Sequence, residues 1–149
     1  FNDQGTREPV ARAITMLEEA ETIIGHNIVN YDIPVIQKFY AWFTPPRVLD
    51  TLLLSRLYHP DLLKIDRITD GNGNSKCRWK HMPLQLVGRH SLEAYGYRLG
   101  EYKGEFAKTT DWKEWSQDME DYMVQDVQVT TKLWKHFHKY LTGSHLSTK

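Results

Sequence analysis

Thr22-Ile23-Ile24-Gly25-His26-Asn27-Ile28-Val29-Asn30-Tyr31-Asp32 is the stretch that decides the fold. It begins with a short apolar, β-branched run closed by a glycine, the pattern of a buried strand. Polar His26 and Asn27 follow at once, so the C-terminal end of the strand opens into a loop. Asp32-Ile33-Pro34 then starts a helix expected to reach about Trp42, where Thr44-Pro45-Pro46 stops it. Upstream, Pro9 suits a first helical turn. Val10, Ile14, Met16, Leu17 and Ala20 recur at helical spacing, which predicts a helix over 9–20. Downstream, Arg47-Val48-Leu49 reads as a second strand, and Asp50-Thr51 as the cap of a helix over 52–58. Strands alternating with helices predict parallel pairing in an α/β layer. Two short strands leave both sheet edges uncovered. The chain therefore reads as the later part of a sheet whose first strands lie upstream of Phe1.

Residues 59–83 change character. Asp70-Gly71-Asn72-Gly73-Asn74-Ser75 is a turn cluster. Its flanks hold the densest positive charge in the chain, from Lys64 and Arg67 to Lys76, Arg78, Lys80 and His81. A mobile hairpin or long basic loop is expected over 64–82. Short helices follow over 84–87 and 92–97, the second capped by Ser91. A long helix is expected over about 112–140, with Trp115, Met119, Tyr122, Met123, Val127, Thr130, Leu133, Trp134 and Phe137 at its period. The tail, 143–149, should fray.

Composition narrows the class. Of 149 residues, 40% are hydrophobic and 26% charged, which is ordinary for a globular domain. No run approaches the roughly 18 apolar residues of a membrane span, so no membrane partner is expected. Lys plus Arg and Asp plus Glu are both 19, so the formal charge is zero. That excludes a protein gripping long duplex DNA with its whole surface and leaves only a local basic patch. Cys77 is the only cysteine, which excludes an intrachain disulfide and fits a reducing, intracellular setting.

Two constellations can carry chemistry. In Gly25 to Asp32, Asn27 is a turn residue and Asp32 a helix N-cap on the plain reading. Yet a carboxylate just beyond a buried parallel strand also sits where open α/β sheets place ligands. In Tyr122-Met123-Val124-Gln125-Asp126, a phenol and a carboxylate project from one helix face a turn apart. Such a pair can orient a water while the carboxylate holds a divalent metal; otherwise it is a solvated Asp beside a half-buried Tyr. Trp79 between Arg78 and Lys80 can stack a base beside a phosphate or fold onto the domain. The histidines, His81, His90, His136 and His138 among them, show no metal-site spacing.

Taken together, Asn-x-x-x-Tyr-Asp (Asn27, Tyr31, Asp32) and the later Tyr-x-x-x-Asp (Tyr122, Asp126) resemble two of the three motifs of the tyrosine-bearing DEDD-type 3′–5′ exonucleases. Val48 to Leu57, Ser91 to Glu105 and Met119 to Thr131 are similar to the proofreading domain of bacteriophage family A DNA polymerases. The resemblance covers roughly residues 10–138. It implies an α/β, helix-rich, ribonuclease H-like fold and hydrolysis of the terminal phosphodiester of a single-stranded DNA 3′ end. It implies a two-metal site for Mg²⁺ or Mn²⁺ about 4 Å apart. Asp32 and Asp126 would be metal ligands, Tyr122 would position the attacking water, and Asn27 would lie by the terminal nucleotide. His26, Tyr31, Lys103, Arg78 and Trp79 are further candidates for nucleic-acid contact. A polymerase domain or upstream segment is the expected partner, and the host cytoplasm the expected location.

One element of that pattern is missing. The first Asp-x-Glu strand has no counterpart in residues 1–8. The only Asp-x-Glu is Asp118-Met119-Glu120, on the final helix, where the two side chains point about 200° apart. These read as solvated helix charges. Two carboxylates are a thin ligand set for hard cations. The chain is therefore expected to be an N-terminally incomplete exonuclease domain completed by other residues; the alternative is a catalytically silent binding or scaffold domain of the same ancestry. Nothing in the sequence distinguishes a DNA from an RNA substrate.

Overall fold

β-Branched Ile23 and Ile24 form the first strand for the reason their pattern predicts: Ile23 is buried and pleated against the core. A computed structural model describes residues 5, 7–101 and 116–143. In order, the elements are α1 (Val10–Glu19), β1 (Thr22–Gly25), α2 (Asp32–Phe39), β2 (Arg47–Asp50), α3 (Thr51–Tyr58), α4 (Leu62–Asp66), β3 (Arg67–Thr69), β4 (Ser75–Cys77), a 3-10 turn (Leu84–Leu86), α5 (Leu92–Arg98) and α6 (Gln117–Leu141). The chain forms two compact units, Phe1–Leu53 and Leu54–Lys149.

In the first unit β1 pairs parallel with β2, in register from Thr22 with Arg47 to Gly25 with Asp50. This is the parallel pairing expected from the alternation of elements. Ile14, Ile23, Ile28 and Phe43 form the core, flanked by Leu17, Ile33, Ile36 and Val48. α2 ends at Phe39, short of the expected Trp42. Tyr40 leaves the helical region (φ −128°, ψ 76°), and the turn it begins drives Phe43, 2% exposed, into the core. Burying that ring outweighs one more helical turn.

The second unit has two apolar clusters. Leu54, Leu62, Tyr95, Val129, Leu133 and Phe137 form the larger; Met82, Leu86, Ala94 and Tyr97, with Cys77 and Trp79 against them, form the other. The basic segment is a hairpin, as one of its two readings had it: β3 and β4 pair antiparallel, Arg67 with Cys77 and Thr69 with Ser75. Its beginning differs from expectation, since Lys64 to Asp66 close α4. Leu62 and Asp66, one turn apart, are both buried, and that shared face makes the segment helical. Ser91 caps α5, its hydroxyl accepting from the Ala94 amide.

α6 begins at Gln117. Ser116 is extended (ψ 155°) and its hydroxyl caps the helix at the Met119 amide. The expected start, residues 112–115, lies outside the described residues, as do the expected tail beyond Gly143 and Lys103. The buried stripe of α6 is Met119, Val129, Leu133 and Phe137. Met123 and Val127, expected on it, are 53% and 66% exposed. Helical register places Tyr122 and Asp126 between Met119 and Val129 on that stripe, so a polar pair occupies the positions the hydrophobic pattern assigns to apolar neighbours. Among the described residues, no helix is long and apolar enough to cross a membrane.

Candidate functional site

At the end of β1 the backbone turns too tightly for a side chain: a Cβ on Gly25 would lie 2.7 Å from Cβ of Ile28. Asn27 adopts a left-handed conformation, φ 62°, which asparagine tolerates better than most residues. Asp50, 5% exposed, fixes this loop. Its Oδ1 accepts from the Asn27 amide at 2.9 Å and the Leu52 amide at 2.8 Å, and its Oδ2 from the Val29 amide at 3.2 Å. One carboxylate thus ties the strand end to the start of α3. Thr51 donates its hydroxyl to the Gly25 carbonyl at 3.2 Å. Its oxygen meets His26 Nδ1 at 3.0 Å, so Nδ1 carries a proton and donates to it.

Asp32 opens α2, where its charge suits the helix dipole. The residue is exposed, but the groups around its carboxyl displace enough water to push its pKa up, and the Asp50 charge pushes the same way; its own backbone amide opposes both. Tyr31, just before it, is 65% exposed. His26, Asn27, Tyr31 and Asp32 therefore gather at the end of one strand, around a loop with fixed geometry.

In the second unit, Tyr122 and Asp126 are both half-buried on α6. Desolvation pushes the Asp126 carboxyl above the ordinary carboxylate range. Desolvation also raises the Tyr122 phenol, with Asp126 and then Glu93 adding negative charge. Asp126 has no hydrogen bond or ion pair among the described residues. The next residue back, Gln125, donates its side-chain amide to the Glu101 carbonyl at 2.6 Å, and Lys132 pairs with the Glu101 carboxylate. Those contacts anchor the helix beside Asp126 without neutralising it. Asp118 is exposed and Glu120 half-buried.

Carboxylate oxygens without a cationic partner suit a hard divalent ion, and among the described residues Asp32 and Asp126 have none. They fit in donor type and fall short in number: among the described residues, no three His, Cys, Asp or Glu converge on a metal position.

The remaining candidates lie on the hairpin. Arg78 is exposed, with its guanidinium 6.0 Å from the Trp79 ring. Trp79 is half-buried and its indole N–H donates to Asp66 Oδ1 at 2.7 Å. Asp66 itself carries no signal in the sequence, yet it is fully buried and accepts four bonds: from Trp79, from the Gly88 amide at 2.7 Å, and from Arg98 at 2.8 and 2.6 Å. Burial alone would raise its pKa; Arg98, Gly88 and Trp79 together bring it below the ordinary value. Sequence reasoning also missed Ser55, buried and bonded to both His90 Nδ1 and the Tyr95 hydroxyl at 2.6 Å. It missed the pairing of His59 Nε2 with His136 Nε2 at 2.7 Å. Partners so far apart in the chain leave no local pattern. Asp50, read from the sequence with Thr51 as the cap of the following helix, accepts the Leu52 amide; its bonds to the Asn27 and Val29 amides were outside that reading.

No protein-family model matches the chain. It is 34% identical, over 145 aligned residues, to the DNA-directed DNA polymerase of Escherichia phage T7, the match taking in 83% of this chain and 19% of the relative. The DNA-directed DNA polymerase of Enterobacteria phage T3 matches to the same extent. The chain thus spans about a fifth of the length of these relatives.

Proposed function

We propose that this chain, related as it is to a region of phage DNA polymerases, is their 3′–5′ exonuclease module and removes mononucleotides from the single-stranded 3′ end of DNA. The observation that carries the reading is Asp126: a desolvated carboxylate without a cationic partner among the described residues, held at a core register of α6 with Tyr122 one turn before it. A stable helix would place an apolar residue there, and strain of that kind is characteristic of sites under functional demand. The ribonuclease H-like fold belongs to the same reading, and the parallel β1–β2 pair is compatible with it.

In this reading Asp32 and Asp126 would each serve as a ligand to Mg²⁺ or Mn²⁺, with further carboxylates from another part of the polymerase. When bound, the ions activate water and stabilise charge at the scissile phosphate. Tyr122 hydrogen-bonds the attacking water through its phenol, which its raised pKa keeps protonated and able to donate. Asn27, on the loop fixed by Asp50, presents its carboxamide to the terminal nucleotide. The raised pKa of Asp126 and of Asp32 means that the ion-binding, ionised forms are lost as pH falls.

The test is Asp126→Asn in the complete polymerase. Release of nucleotides from a single-stranded 3′ end should fall by at least about a hundredfold, roughly 2.7 kcal/mol of barrier. The melting midpoint without metal should hold or rise, because a desolvated charge is removed. Full hydrolytic activity in this variant refutes the assignment. The thin donor set favours a second reading, a silent DNA-binding domain of the same ancestry. It predicts DNA binding with no hydrolysis in the unaltered polymerase.

A further inference from the structure

From Lys76, on β4, to Lys80, just beyond it, exposure alternates residue by residue. Cys77 and Trp79 turn inward onto the cluster of Met82, Leu86, Ala94 and Tyr97. Lys76, Arg78 and Lys80 turn outward and are exposed. Among the described residues none of the three has a carboxylate partner. The two carboxylates of this segment are occupied: Asp66 binds Arg98, and Asp70 accepts the Asn72 and Asn74 amides at 2.9 Å within the turn. The Arg78 amide bonds the Asp66 carbonyl at 2.7 Å, and the Trp79 indole bonds the Asp66 carboxylate, so the backbone that carries the row is tied to a buried residue at two successive positions.

We infer that Lys76, Arg78 and Lys80 form a row that tracks the phosphates of a nucleic-acid strand. In a chain of zero net charge, three neighbouring cations without a carboxylate partner among the described residues concentrate positive potential locally. β4 ends at Cys77, so Lys76 lies on the strand and Arg78 and Lys80 follow it in the bend and turn beyond. Trp79 acts here as a positioning residue: its ring and N–H face the protein, and they hold Arg78 and Lys80 outward. The row commits its cations to the backbone, so it confers affinity without sequence preference. The choice of nucleic acid over another polyanion rests on the relation to polymerases; the row itself does not.

The test measures binding of a labelled single-stranded DNA oligonucleotide to the intact chain by anisotropy, in EDTA, across a salt series. Lys76→Gln, Arg78→Gln and Lys80→Gln together should lower the slope of log affinity against log salt by about 2, since each single-strand phosphate contact contributes about 0.7. Affinity at 0.1 M salt should fall roughly tenfold to a hundredfold. A control triple, Arg12→Gln, Lys38→Gln and Lys135→Gln, removes the same charge from elsewhere and should leave the slope within about 0.5 of the original. Equal losses for the two triples, or an unchanged slope in the row variant with an unaltered circular dichroism spectrum, overturn the proposal. The phosphate row is read from binding in EDTA and the exonuclease reading from nucleotide release with metal, so the two fail by different measurements.

Discussion

Asp66 and Asp126 are both removed from water and have opposite fates. Asp66 is surrounded by donors and ionises more readily than usual; Asp126 has none among the described residues and ionises less readily. Replacing Asp66 with Ala should destabilise the second unit by about 3–5 kcal/mol, because it strands the Arg98 guanidinium in the interior. Arg98 already has one buried nitrogen, Nη1, without a hydrogen-bond partner among the described residues, and the Tyr95 ring 4.8 Å from its guanidinium carbon gives it limited compensation. Urea unfolding followed by far-ultraviolet circular dichroism would measure the loss; a change below about 1 kcal/mol would contradict the account of Asp66. The two residues also show what a sequence can disclose. Asn27, Tyr31 and Asp32 form a short local motif and were legible as a group. Asp66 looks like one charge in a basic flank, because its four donors come from residues distant in sequence. Asp126 was legible only through its spacing to Tyr122; its place on the buried stripe was hidden, since the periodicity that picks out Met119, Tyr122, Leu133 and Phe137 takes in Met123 and Val127 and passes over a charged residue.

Helices and strands were read with uneven success, for physical reasons. β1, β2 and α1 follow from β-branched runs and helical spacing. The end of α2 depended on Phe43 reaching the core, a tertiary event. α6 adds an element-level property absent from any local pattern. Its His136 meets His59, just beyond α3, among the rings of Phe137 and Tyr140. Burial lowers the pKa of both, that of His136 to about 4, and Lys139 lowers both further. A histidine whose folded pKa is depressed stabilises the fold above its unfolded value of 6.5 and loses that contribution as pH drops through the folded one. The second unit should therefore lose stability progressively from about pH 6.5 to about pH 4. Thermal melting across that range would record it. His136→Gln should flatten the decline, since a carboxamide can donate to His59 without titrating. An identical decline in that variant would assign the pH dependence to other groups.

At the scale of the whole chain, neutrality and division into two units matter most. The balanced charge and sequence pI of about 7.2 leave little colloidal repulsion near neutral pH, and Phe39, Leu57, Leu84 and Val127 are among the exposed apolar side chains. The isolated chain should be least soluble at about pH 7 and recover about two pH units to either side; turbidity against pH at fixed concentration would show the minimum, and a flat profile would count against charge as the control. The composition that excludes a uniformly basic DNA-coating protein is thus compatible with one local row of cations. The inward placement of Cys77 has a practical consequence. It is the chain's sole thiol and lies half-buried between two of those cations. An alkylating reagent can reach it fully only when the hairpin peels from the cluster beneath, so the rate of single-site labelling becomes a clock for that opening, and a nucleic acid lying along the strand should slow it.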